Sequence, residues 1–184
     1  MSHATDSSIE QPPPPKVSIV WFRRDLRLND NPALTAAVAE SDVVIPIYIW
    51  APEEEGRFVP GRCNRRWLQI SLPRFDTSLR KLGSRLIYLC DTESYAPLLK
   101  FCTEVGATAV YFNDLYDPLS LIRDKQIVDL LATAGINSKS FKADILYQPS
   151  EILNDDGSPY SAYAPFWTKL RNMPCKPALP HPTP

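Results

Sequence analysis

"VSIVWFRRDLRLNDNPAL", residues 17–34, decides how the rest of the chain reads. Val17, Ile19, Val20, Trp21 and Phe22 make a short apolar run with the β-branched and aromatic character of a buried strand. The run stops at Arg23, Arg24, Asp25 and Arg27. Asn31-Pro32 follows, a good N-cap and a proline at the first helical position, where its missing N–H costs nothing. Apolar and small residues continue to about Glu40. The stretch therefore reads as strand, charged loop, helix.

The same order repeats downstream. Val43–Ile49 is continuously apolar, as a strand covered on both faces must be. "WAPEEEGRFVPGR" reads as a loop. Arg62 to Leu82 reads as a helix, with Leu68, Leu72, Phe75, Leu79 and Leu82 as one buried stripe. Pro73 lies inside it, at a cost of roughly 3 kcal/mol, so a kink or break is expected there. Gly83 is the expected C-cap, and Arg85–Leu89 a third strand. Thr92 or Ser94 opens a third helix that Gly106 closes. Ala107–Phe112 is a fourth strand. Pro118 to Ala134 is a fourth helix, with Leu119, Ile122, Ile127, Leu130 and Leu131 as its apolar face and Gly135 after it. Ile136–Lys142 is a fifth strand. Alternation of this kind specifies parallel pairing with right-handed crossovers. The expected fold is α/β: a doubly wound five-stranded parallel sheet with helices on both faces. Residues 1–15 end in four prolines and read as a disordered leader. Residues 16–145 are the α/β domain, and 146–184 a linker-like segment with a proline-rich tail.

Composition narrows the chemistry. The formal net charge is −1, so there is no general pull toward nucleic acid or anionic membrane. No apolar run is long enough to span a bilayer. The N-terminus has neither the basic and apolar regions of a secretory signal nor the character of a transit peptide, which leaves the nucleus or cytoplasm. Cys63, Cys90, Cys102 and Cys175 show no C-x-x-C spacing and read as free thiols, mostly core filler. The two histidines, His3 and His181, both lie in the tails, which removes His-based hydrolysis and His-ligated metal from the folded part. No G-x-G-x-x-G follows the first strand, and no G-x-x-x-x-G-K-[ST] occurs anywhere. No catalytic residue or metal site is expected.

Ligands of such sheets bind outside the C-terminal ends of the strands, near the switch point in strand order. The charged loop after Phe22 sits at such an end. Three readings stay open: an Arg–Asp network that ties the loop down, a direct ligand contact, or a contact with another domain. Other strand ends supply Trp50, which is either a wall for a flat ligand or a loop anchor, and Asp117-Pro118, an N-cap and N1 pair. Glu53-Glu54-Glu55 reads as a solvated loop face.

"VWFRRDLRLNDNPAL" resembles the first-strand motif of the photolyase/cryptochrome family. "WAPEEEGRFVPGR", "SLRKLGSRL", "GATAVYFNDLYDPLSLIRD" and "SPYSAYAPFW" match in the same order, over Val17 to Met173. The wording looks most like plant-type cryptochromes, blue-light photoreceptors, with bacterial photolyases next. The resemblance implies the N-terminal α/β domain, which in many members helps hold an antenna chromophore, a folate or deazaflavin. It also implies that FAD, the photoreduction tryptophans and the DNA- or partner-facing cavity belong to a later helical domain. That domain is expected to be absent, because about forty residues after the sheet cannot bury an isoalloxazine. A truncated photoreceptor domain is therefore expected, the antenna or interdomain-scaffold half of a flavoprotein. It would bind no flavin firmly, carry no photochemistry or enzymatic activity of its own and bind no DNA alone. The alternatives are an interaction module for full-length cryptochrome, its partners or a separate helical flavin domain, and a DNA photolyase fragment inactive alone.

The candidate cofactor-binding residues are Arg23, Arg24, Trp50 and Tyr116. The candidate interdomain or partner surface is Asp25, Arg27, Tyr160, Tyr163, Phe166 and Trp167. Some positions depart from the family. Arg66-Trp67 stands where many relatives have two tryptophans. Asp114 and Ser150 replace a His and a Trp common in plant cryptochromes. Leu119 and Ser120 fall on the folate-contacting Asn and Glu of some photolyases, which tells against folate.

Overall fold

The computed structural model describes residues 13–183. Most of the leader assigned to residues 1–15 lies outside that range, as does His3. Five strands alternate with helices: β1 (Val17–Phe22), α1 (Pro32–Glu40), β2 (Val43–Trp50), α2 (Arg62–Arg80), β3 (Ile87–Cys90), α3 (Tyr95–Val105), β4 (Ala109–Asn113), α4 (Pro118–Thr133) and β5 (Asn137–Phe141). A last helix, α5 (Tyr163–Leu170), follows. The strands are all parallel in the order β3-β2-β1-β4-β5. Order reverses between β1 and β4, so the switch point lies at the end of the opening strand.

The alternation within β1 explains the layers. Ile19 and Trp21 join Ile47, Val110 and Phe112 under α3 and α4, which contribute Leu98, Cys102, Ile127 and Leu131. Val20 and Phe22 join Tyr111 under α1 and α2, which contribute Leu34, Ala37, Phe75 and Leu79. Each such aliphatic or aromatic side chain, fully buried, stabilises the domain by about 1.5–3 kcal/mol. Phe22 and Phe75 meet edge to face at 4.7 Å, which locks α2 onto β1.

Helix starts follow the expected chemistry. Asn31 Oδ1 accepts from Leu34 N at 3.1 Å, and Asp117 Oδ1 from Ser120 N at 3.0 Å, each ahead of a proline at N1. Gly106 closes α3 at φ 64°, a left-handed angle that glycine takes without strain.

Several expectations fail for identifiable reasons. α2 continues through Pro73 to Arg80 without a break. Pro73 lies on the exposed side, and the carbonyl deprived of its donor belongs to exposed Gln69, within reach of solvent. "WAPEEEGRFVPGR" is not wholly irregular, since residues Pro52–Phe58 form short 3₁₀ turns interrupted at Gly56. The buried stripe of α4 is Ser120, Ile127 and Leu131, while Leu119, Ile122 and Leu130 are exposed. Only Cys102 is core filler; Cys63, Cys90 and Cys175 are exposed, and all four are free thiols. The proline-rich tail meets the β1–α1 turn at one point. Leu179 N donates to Asp30 Oδ1 at 3.0 Å, and Asp30 N donates to Leu179 O at 3.3 Å.

Candidate functional site

The turn after β1 is built from within. Arg23 N donates to Asp25 Oδ1 at 2.8 Å and Arg27 N to Asp25 O at 2.6 Å, so Asp25 folds the turn onto itself. Asn113, the last residue of β4, stands beside it. Its Nδ2 donates to Asp25 Oδ2 at 2.5 Å and Asn31 Oδ1 at 2.8 Å, and its Oδ1 accepts from Ala33 N at 3.2 Å. Asp25, Asn31 and Asn113 are all buried. They form a closed polar knot that joins β1, β4 and the start of α1.

Outside the knot lies a ring of ion pairs. Arg23 Nη1 makes two bonds to the Asp124 carboxylate, at 2.6 and 2.7 Å, and Nη2 donates to Asn113 O. The two side chains are only 7% and 13% exposed. The Arg23 guanidinium lies 4.8 Å from the Trp21 ring centre and 5.0 Å from that of Phe112, stacked as well as paired. Arg123 reaches Glu54 at 3.5 Å, Glu55 at 3.4 Å and Asp124 at 3.5 Å. Arg24 reaches Asp117 at 3.2 Å and Glu55 at 3.5 Å. Arg27 donates to Ala143 O at 3.0 Å and approaches Asp144 at 3.9 Å. Glu54 accepts from Ser94 N and, at 2.9 Å, from Ser94 Oγ–H, placing a carboxylate at the start of α3. The solvated-face reading of the glutamates thus holds for Glu53 alone, which is exposed.

These residues frame a cleft of about 790 Å³ at the C-terminal ends of the strands. Trp21, Trp50, Phe58 and Trp67 supply flat walls, and Tyr48 and Leu68 line the α2 side. Burial, with Glu55 beside it, pushes the Tyr48 hydroxyl up to about 12. Burial lifts the Asp117 carboxyl, but the Ser120 N–H and Oγ–H bonds and the nearby Arg24 and Arg123 leave it below its usual range. Burial, then the negative charge of Asp25, lifts that of Asp144. Two buried donors in this corner, Trp21 Nε1 and Arg23 Nε, find no hydrogen-bond partner among the described residues.

Arg23, Arg24 and Trp50 line the cleft, as do Asp25 and Arg27. Tyr116 does not line it; its hydroxyl accepts from Gln148 Nε2 at 2.9 Å. Asp25 is not a surface residue, because its carboxylate is consumed by the knot. Tyr163 and Trp167 are 72% and 46% exposed on α5 and stack at 6.4 Å, with Phe166 and Tyr160 packed behind them. Sequence reasoning missed Asn113, Arg123, Asp124 and the buried role of Glu54. One signal was present for Asp124, which falls at helical spacing between Ser120 and Ile127 in a buried stripe. Among the described residues no group of three or more His, Cys, Asp or Glu is placed to hold a metal ion. No described helix is long and apolar enough to cross a membrane.

The sequence model of the DNA photolyase family matches residues 18–184. The chain belongs to this family. The photolyase-family domain is 51% identical over 163 residues to cryptochrome-1 of Arabidopsis thaliana, covering 89% of this chain and 24% of that protein. It is 39% identical over 164 residues to a deoxyribodipyrimidine photo-lyase of Agrobacterium fabrum, covering 88% of this chain and 33% of the other. Among solved structures, a bacterial class III photolyase from Agrobacterium tumefaciens superposes with TM-score 0.79 at 32% identity, over 97% of this chain and 38% of that one. The archaeal photolyase from Sulfolobus tokodaii, described with two FAD molecules and as implying a novel light-harvesting cofactor, gives TM-score 0.71 at 27% identity, over 89% and 36%. The match is to the N-terminal α/β domain of photolyases and cryptochromes, and the chain spans between 24% and 38% of these proteins' lengths.

Proposed function

We propose that this domain is the antenna-binding and interdomain half of a photolyase/cryptochrome-type flavoprotein. It turns its strand-end cleft toward a helical flavin domain and performs no flavin photochemistry itself. The cleft at the β1/β4 switch point carries the reading. Its volume suits one planar head group, and Trp50, Phe58 and Trp67 offer ring faces of the kind that stack on one. It has no glycine-rich backbone cradle for a dinucleotide. An antenna chromophore bound here would absorb light and pass on excitation; this chain's residues would only hold and orient its ring and keep water from one face. Titration with a folate or a deazaflavin, followed by tryptophan fluorescence and thermal melting, is the direct test. A saturable quench with about 2.7 kcal/mol of stabilisation at a hundredfold excess over Kd is expected. No quench and no shift with either compound refutes antenna binding. A yellow, photoreducible preparation of this chain alone refutes the absence of flavin chemistry.

A second reading has its own observation. The stacked, exposed Tyr163 and Trp167 form an aromatic patch of the sort that anchors a protein partner. It supports docking to a full-length cryptochrome or a separate helical flavin domain. Co-purification with a full-length relative, lost in Tyr163→Ala/Trp167→Ala, supports it, and a clean monomer in the mixture counts against it.

A further inference from the structure

Beyond α5 the chain reads "MPCKPALPHP", residues 173–182. Pro174, Pro177 and Pro180 recur at every third position. Each fixes its own φ at about −65° and keeps the residue before it out of the helical region. Pro182 does the same for His181. Only Cys175 and Ala178 escape these constraints, so the segment is driven toward polyproline II, a helix of three residues per turn with no internal hydrogen bonds. Both marks are present. Residues 174–183 belong to no helix, strand or turn, and no backbone hydrogen bond joins any two of them. Burial also follows a period of three. Met173, Leu179 and Pro182 share one ridge of such a helix and are partly covered. Pro174, Pro177 and Pro180 form the second ridge, and Cys175, Ala178 and His181 the third; all six are exposed. Lys176 is the one exposed residue in register with the covered ridge, and its long stem can carry the ammonium out to water.

The covered ridge is also where the segment is fastened. The Tyr147 hydroxyl donates to Met173 O at 3.1 Å. Two turns on, Leu179 N donates to Asp30 Oδ1 at 3.0 Å, and Leu179 O accepts from Asp30 N at 3.3 Å. A threefold helix held along one ridge turns the other two outward. Two ridges are what an aromatic-lined groove takes from a polyproline II ligand, with the third facing away. We propose that residues 174–182 are a docking strand for a protein partner that reads polyproline II through such a groove. The partner grips the Pro174–Pro177–Pro180 ridge and its Cys175–Ala178–His181 neighbour, while this domain keeps the third. Prolines enter the groove having already lost much of the freedom that binding costs an ordinary peptide, and the two clamps remove more of it. None of these residues lines the strand-end cleft, so occupancy of one site does not require the other.

Purified SH3 and WW modules, which both read this conformation, are the probes. Each is titrated unlabelled into the intact, isotope-labelled chain while amide shifts are followed by NMR. At least one module is expected to bind, with shifts centred on the Cys175, Lys176 and Ala178 amides. Pro177→Ala/Pro180→Ala is expected to weaken that binding at least about tenfold. The melting temperature should not change, since both side chains are exposed. Leu179→Ala, on the held ridge, is expected to change the affinity by less than about threefold. The run Pro13–Pro15 serves as an internal control: binding that survives Pro177→Ala/Pro180→Ala belongs there and overturns the proposal. So does a loss in Leu179→Ala as large as that in the proline variant, which would put the held ridge in the partner's groove. If no module shifts these amides at about 1 mM, the strand only covers its own domain and the docking role is refuted.

Discussion

Asp124→Asn is the sharpest perturbation of the charged turn. The substitution keeps the shape of the side chain and removes its charge. What remains is a guanidinium that is 7% exposed and still held against Asn113 O and two aromatic rings. In this geometry Arg23 cannot swing into water without abandoning those contacts. Breaking a buried ion pair from one side costs about 3–5 kcal/mol, far more than the ~0–1 kcal/mol of an exposed pair. For a domain of this size that corresponds to a fall in Tm of roughly 6–20 °C. Replacing both partners, Arg23→Met with Asp124→Leu, removes the stranded charge as well as the attraction and should recover most of the loss. Thermal and urea unfolding of the two single variants and the double variant form a cycle that isolates the coupling. If Asp124→Asn costs less than about 1 kcal/mol, or the double variant is no better than the single, the pair is not buried in the sense the geometry requires. The turn would then be held by the Asp25–Asn113–Asn31 knot alone.

Two further outcomes are expected. Tyr48 should ionise near 12, well above the ordinary tyrosine value of 10.0, in an absorbance titration. Its folded-state pKa is raised, so its contribution is fully present below the unfolded value of 10.0 and is lost as pH rises toward 12; Tyr48→Phe should remove up to about 2–3 kcal/mol of alkaline destabilisation between those limits. Asp30→Gly keeps the positive φ of 50° but deletes the acceptor for Leu179 N, so amide exchange at Leu179 should accelerate about tenfold while that of the β1 amides stays unchanged. Unchanged exchange at Leu179 would mean that the tail is held by something other than this turn.

What the sequence revealed and what it hid divide by distance along the chain. Local rules placed α1 and α4, because Asn31-Pro32 and Asp117-Pro118 cap their own helices three residues away. They placed β1 to the residue. They also placed the C-terminal edge of the sheet, since strand–helix alternation dictates parallel order. The edges of β3 were shifted, because the residues from Leu82 to Leu86 pack in the turn rather than pair. The face of α4 was misread for a different reason. Leu119, Ile122 and Leu130 have the hydrophobicity of core residues, yet the buried stripe runs through Ser120 and Asp124, whose polarity is satisfied by Asp117 and Arg23. No local pattern could show that, since Arg23 and Asp124 are 101 positions apart. The same holds for Glu54, whose partners Ser94 and Arg123 come from two other elements. Pro73 was over-weighted, because the cost of an interior proline depends on whether water can reach the freed carbonyl.

The charge after Phe22 follows from the switch point itself. After β1 the chain turns to α1 on one face, and after β4 to α4 on the other, so adjacent strand ends part company. Backbone and side-chain polar groups at that divergence have no ladder to continue. Asp25, Asn31 and Asn113 satisfy them from inside, and Arg23 with Asp124 ties the α4 side to the β1 end. The brace works by setting the guanidiniums of Arg23, Arg24, Arg27 and Arg123 each against a carboxylate from another part of the chain. Glu55 is shared by Arg24 and Arg123, so Glu55→Gln should loosen both arginines at once and lower the melting temperature in a thermal unfolding experiment.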